Sequence, residues 1–263
     1  MIRFVYVVRR KEGMSLAEFQ SYWRNTHGPL VAKHSTTMSI RRYVQTHRLD
    51  DPLNDAIRER RGFLAPFDGV AELWWDNPEE LAVAAEKPEY QEATNELLED
   101  EKNFIDFSKS AIWFAYELPQ VNPTPENILA LEESPIIKLC YFAQKRPELS
   151  LEDAQLYWRI NHGPLIRSLA PALSIKRYIQ VHRLVTPFDD APVSVRGEME
   201  EPLMGHAELW YDRKDMLAGM NMPERVKAGK LATEDEAKFI DFHRSTLWVA
   251  KEQVFIDRGR ITL

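Results

Sequence analysis

The chain has 263 residues, 44% of them hydrophobic and 29% charged, with a formal net charge of −7. That length holds one large domain or two ordinary ones, and the acidic balance argues against a nucleic-acid partner, which needs a basic face. No apolar run approaches the ~18 residues of a membrane span. The opening MIRFVYVVRRKEG is too short in apolar residues for a signal peptide, and the one cysteine, Cys140, excludes an internal disulfide. A cytoplasmic protein is expected.

Taken in chain order, Arg3–Arg9 is a short strand rich in Val, Phe and Tyr. Ser15-Leu-Ala-Glu18 is a capping box that opens a helix, and Leu16, Phe19 and Trp23 share one face of it. That helix is interrupted at His27-Gly28-Pro29, where proline has no N–H to continue the hydrogen-bond ladder. Two strands follow, around Ile40–Leu49 and Val70–Trp75, then acidic helical segments from Glu79 to about Asp100 and a last strand at Ala111–Tyr116. The order β-α-β-β-α-β is that of a ferredoxin-like unit.

After a polar, proline-rich stretch, Glu117–Pro135, the pattern starts again. SLAEFQSYWRNTHGPL from Ser15 returns as SLEDAQLYWRINHGPL from Ser150, and SIRRYVQTHRL from Ser39 as SIKRYIQVHRL from Ser174, both at an offset of 135 residues. Over this span about half the positions are identical, so the chain is a tandem duplication. The expected domains are residues 1–117 and 136–263, with 118–135 as linker. A four-stranded sheet with helices on one face leaves the other bare, and two copies in one chain can cover each other. The fold class expected is therefore α+β: two tandem βαββαβ domains forming an intrachain pseudo-dimer, with further homo-oligomerisation open.

The run YWR-x-x-HGPL, the strand pair and FDGVAELWWD resemble the EthD family of the dimeric α+β-barrel superfamily, over nearly the whole chain outside the linker. The resemblance implies two sheets closed face to face into a barrel, helices outside, and a pocket. Superfamily relatives include cofactor-independent monooxygenases, cyclases, dehydratases and haem-binding enzymes. The second copy departs from the family pattern: Phe67-Asp68-Gly69 becomes Leu203-Met204-Gly205, and His206 stands where the first copy has Val70.

Three groups of residues carry possible chemistry. His27 and His162 sit at the helix break, where an imidazole either caps the helix or points into a cleft. Tyr43, Gln45 and His47, like Tyr178, Gln180 and His182, alternate onto one strand face, which suggests a polar pocket or a self-satisfied interface between copies. Glu72 and Glu208 alternate with Trp74 and Trp210, and a carboxylate on a histidine-bearing face can orient an imidazole. His206 points with Glu208. These histidines and glutamates are the candidate catalytic groups; Tyr43, Gln45, Trp74, Asp68, Tyr178, Gln180 and Trp210 are candidate substrate contacts. No residues show metal-ligand spacing, so no metal and no cofactor are expected. Long connections, Asp50–Asp68 and Val185–Met204, suit covers over a cleft.

The leading functional expectation is a cofactor-independent enzyme with a histidine general acid/base, working on a small apolar, carbonyl-bearing or aromatic compound by dehydration, cyclisation or isomerisation. A non-catalytic small-molecule binding protein, or a haem- or metal-dependent enzyme, are the alternatives. His47 and His182 are expected to outweigh His34 and His243. The second copy, with His162, His182, His206 and Glu208, is expected to be the active one.

Overall fold

The computed structural model describes residues 1–122 and 128–258. In the first copy the elements run β1 (Ile2–Val8), α1 (Leu16–Tyr22), α2 (Gly28–Lys33), β2 (Arg42–Arg48), α3 (Pro52–Arg61), β3 (Gly69–Trp75), α4 (Pro78–Ala85), α5 (Pro88–Glu101) and β4 (Ala111–Val121). The second repeats them as β5 (Ile136–Lys145), α6 (Leu151–Tyr157), α7 (Gly163–Leu173), β6 (Arg177–Arg183), α8 (Asp190–Ser194), β7 (Gly205–Asp212), α9 (Arg213–Ala218), α10 (Pro223–Glu236) and β8 (Ile240–Asp257). Beyond the expected βαββαβ order, α3 and α8 are helices inside the two long β-β connections.

The capping box forms: the Glu18 N–H donates to Ser15 Oγ at 3.2 Å, and the Ser15 N–H donates to Glu18 Oε2 at 2.8 Å. At His-Gly-Pro each helix widens into one π turn, Trp23–His27 and Trp158–His162, in which the Gly28 N–H reaches back to the Trp23 carbonyl and the Gly163 N–H to that of Trp158. Such a turn absorbs the missing proline donor without ending the helix.

All eight strands close one barrel in the order β1-β3-β2-β8-β5-β7-β6-β4. The seams between copies are β2·β8 and β4·β6, both antiparallel. To reach β6, β4 runs on past Tyr116 to Val121, so the segment expected as linker begins as strand. Its far end docks on the barrel: the Ala130 N–H donates to Glu252 Oε2 at 2.7 Å, and the Glu252 N–H to the Ala130 carbonyl at 2.8 Å.

Every strand therefore has a lumen face and a helix face, and both are buried. The register places Gln45 beside Ala71 and Val44 beside Glu72. Tyr43, Gln45 and His47 thus lie on the helix face with Ala71 and Leu73, while Glu72 and Trp74 enter the lumen. The expectation that Glu72 shares a face with the strand histidine is corrected by this register. Gly69 and Gly205 allow the helix face to close: a Cβ at Gly69 would lie 2.4 Å from the Trp23 ring, and one at Gly205 only 2.3 Å from the Val181 carbonyl oxygen.

Candidate functional site

The Tyr-Gln-His triplets bond to one another within each copy, with His182 Nδ1 left buried without a partner. Gln45 Nε2 donates to the Trp23 carbonyl of the π turn at 2.9 Å and to the Tyr43 hydroxyl oxygen at 2.8 Å, leaving Gln45 Oε1 for His47 Nε2 at 2.8 Å. His47 stacks on Trp23 with ring centroids 4.7 Å apart. Gln180, Tyr178, His182 and Trp158 repeat this arrangement. Burial, assisted by Arg24 and Arg159 respectively, lowers His47 and His182 to about 3. Both rings are neutral at physiological pH, and their work is to clamp the helix break against the sheet. Asp68 is likewise occupied, accepting from the Arg10 N–H at 2.9 Å and from Arg48 at 3.0 Å.

The lumen holds a pseudo-symmetric ion cluster. Arg3 from β1 and its counterpart Lys138 from β5 each reach both Glu72 and Glu208, with Lys138 at 3.0 and 2.7 Å. Glu117 and Glu252, on the extended ends of β4 and β8, complete it at 2.9 Å from Arg3 and 3.4 Å from Lys138. Trp74 and Trp210 donate their indole N–H to these outer carboxylates at 2.7 and 2.9 Å. Burial opposes ionisation of Glu208, but Arg3 and Lys138 outweigh it and hold the carboxyl well below its usual range. His206, stacked on Phe142 at 4.4 Å, is lowered to about 4 by burial, with Arg3 and Lys138 adding to the effect against Glu208. Glu72, His206 and Glu208 lie close enough to share a metal ion. Both carboxylates already pair with Arg3 and Lys138.

The structure separates the second-copy residues expected to work together. His162 and His182 are on the helix face, whereas His206 and Glu208 are in the lumen.

An apolar-walled cavity lies outside the lumen. Between the helix face of the first sheet and α2, α4 and α5 lies a space of about 360 Å³. Phe4, Leu73, Trp75, Leu81 and Leu97 give it an apolar wall. Its roof comes from the other copy: Phe188, Pro192 and Val195 around α8, and Arg196 just beyond it. Arg196 forms a bidentate pair with Glu101 of α5 at 2.7 and 2.8 Å, both side chains buried. Next to it, the Tyr6 hydroxyl is buried with no hydrogen-bond partner. Burial, reinforced by the Glu101 charge and opposed by Arg196, raises Tyr6 well above its ordinary value, so it stays a donor. His27 lines the same wall, its Nδ1 held by Asp100 at 2.7 Å. Burial would raise the Asp100 carboxyl, but hydrogen bonds from His27 and Tyr22 prevail and keep it ionised.

The EthD domain matches this chain twice, over residues 11–108 and 146–243. The protein belongs to the EthD family. An anthrone oxidase-like protein of known structure is 11% identical, with a TM-score of 0.54, covering 100% of this chain and 96% of its own. A dye-decolorizing peroxidase from Bacteroides thetaiotaomicron VPI-5482 is also 11% identical, with a TM-score of 0.45, covering 95% and 92%. No curated protein sequence matches the chain.

Within this EthD pair the second copy has the same polar set around a smaller space. Tyr141, Glu236, His162 and Asp235 correspond to Tyr6, Glu101, His27 and Asp100, and Arg61 of the first copy is the crossed-over counterpart of Arg196. The cavity measures about 130 Å³. The first cavity extends along α4 and α5 by Leu81, Ala85, Tyr90 and Gln91, for which the second has no lining counterpart. Sequence reasoning missed the tyrosine, the Asp-Glu pair and the arginine. Each recurs at an offset of 135: Tyr6 and Tyr141, Glu-Asp-Glu ending at 101 and 236, Arg-Gly at 61 and 196.

Proposed function

We propose that this EthD protein is a cofactor-independent enzyme whose reaction takes place in the first-copy cavity. The observation that carries the reading is the His27–Asp100 pair in the wall of an apolar cavity that also holds an unpartnered Tyr6 hydroxyl. Asp100 holds Nδ1, which leaves Nε2 as the nitrogen for a bound molecule. A histidine so oriented can take a proton from a carbon next to a carbonyl and return it to a leaving hydroxyl. Tyr6 is placed to donate to the carbonyl oxygen as charge develops there, in a water-poor site where such a bond is strongest. Together these groups support dehydration, cyclisation or isomerisation, the reactions of lyases and related enzymes, and the proposal keeps the cytoplasm as the location.

Cavity size narrows the substrate. A cavity of ~150 Å³ holds benzene, so about 360 Å³ suits a compound of two to three fused rings and is too small for a porphyrin. The test is deuterium incorporation next to the carbonyl of two-ring aryl ketones in D₂O, followed by NMR. Exchange above background that disappears in His27→Asn supports the reading. Ketone binding without exchange in the native protein supports a non-catalytic binding protein instead.

A further inference from the structure

We infer that the second-copy cavity is a separate binding site for a single-ring phenol. The inference goes beyond the proposed activity, which uses the first cavity alone.

The cavity of about 130 Å³ is walled by apolar side chains, among them Ile166, Leu173, Ile175, Ala207 and Leu247. Its size is close to the ~150 Å³ that accommodates one benzene ring, and it has no room for a second. The Tyr141 hydroxyl, which also lines it, is buried without a hydrogen-bond partner. Arg61, the nearest cation, is taken by Glu236 and by Thr233 Oγ1 at 2.9 Å. His162 is held by Asp235 at 2.9 Å.

A buried hydroxyl left unbonded is unfavourable, so the site favours an occupant that brings an oxygen to it. A ring with one hydroxyl meets both demands: its carbons cover the aliphatic wall and its oxygen pairs with Tyr141. The Phe63 ring of the other copy lies 5.3 Å from that of Tyr141. The two cavities share no lining residue.

The experiment uses the full chain with labelled Ile, Leu and Val methyl groups, titrated separately with phenol and with 2-naphthol. Phenol is expected to shift the Ile166, Ile175 and Leu247 methyl signals. 2-Naphthol is expected to leave those in place and to shift Val31, Leu73 and Leu97. Ala232→Leu, which puts into the second cavity the residue found at the matching first-copy position, Leu97, should remove the phenol response at Ile166 and Leu247. Tyr141→Phe should weaken phenol there by roughly tenfold, one hydrogen bond's worth. The inference is overturned if phenol moves no second-copy methyl at millimolar concentration. It is also overturned if the response survives Ala232→Leu, or if 2-naphthol enters the same space. None of these readouts depends on turnover, so failure of the exchange assay leaves this site standing, and the reverse.

Discussion

Arg196→Met tests whether the second copy really closes the first copy's cavity. Arg196 makes two charge-assisted bonds to Glu101, at 2.7 and 2.8 Å, and the side chains are 8% and 7% exposed. Removing one partner of such a pair strands the other charge in a low-dielectric site, which costs about 3–5 kcal/mol. For a chain of this size that lowers the melting temperature by roughly 6–20 °C. Methionine keeps much of the side-chain volume, so the loss is electrostatic rather than a cavity effect. Urea denaturation of Arg196→Met, Glu101→Leu and the double variant gives the coupling, and the double variant should regain most of the stability because both buried charges are gone. The single variant also has a pH signature. Unpaired and buried, Glu101 acquires a raised pKa, so its deficit against the native protein is full at neutral pH and shrinks as pH falls into the carboxylate range. A loss below ~1 kcal/mol, or one independent of pH, would refute closure of the cavity by the second copy, since that is the behaviour of a solvated surface pair.

Acid titration should reveal the neutral strand histidines. His47 and His182 lie at about 3 in the folded protein against ~6.5 unfolded, so the unfolded chain binds more protons between those values and stability falls as pH drops through that window. His182→Leu should flatten this slope in chemical-denaturation midpoints measured at several pH values. Gln45→Leu leaves the Trp23 carbonyl and His47 without their shared partner and should cost about 1–3 kcal/mol by urea titration, with no change in the second-copy cavity's methyl signals. Tyr6→Phe should leave aryl-ketone binding within a few-fold while slowing exchange by roughly 10²-fold or more, as loss of a donor to developing charge does; equal loss in both would make Tyr6 a binding group only.

Much of the frame was legible because it is written twice. A near-constant offset, a serine N-cap in each copy and YWR-x-x-HGPL in both define two βαββαβ units, and two bare sheet faces demand each other. Period-two alternation also grouped Tyr43 with Gln45 and His47 correctly. What alternation does not tell is which face is which: in a closed barrel with helices outside, both faces of β2 are buried, and Gln45 and Thr46 are equally inaccessible. Glu72 was therefore matched to the wrong histidines, and the lumen cluster of Arg3, Lys138, Glu117 and Glu252 went unread. Asp100 and Glu101 lie on a helix whose acidic residues mostly face solvent, which hid the two that turn inward. Arg61 and Arg196 act in the opposite copy from the one that encodes them, a consequence of topology that no local pattern carries.

The central claim is that proton transfer occurs in the first copy's cavity at His27. His27→Asn and His162→Asn change the same atoms at equivalent positions, each beside an aspartate and a π turn, so their structural costs should match. Deuterium exchange into a two-ring aryl ketone, measured by NMR for both variants and the native protein under one set of conditions, separates them. The account predicts that His27→Asn falls to background while His162→Asn retains native exchange. Loss of exchange in His162→Asn with His27→Asn still active would contradict it.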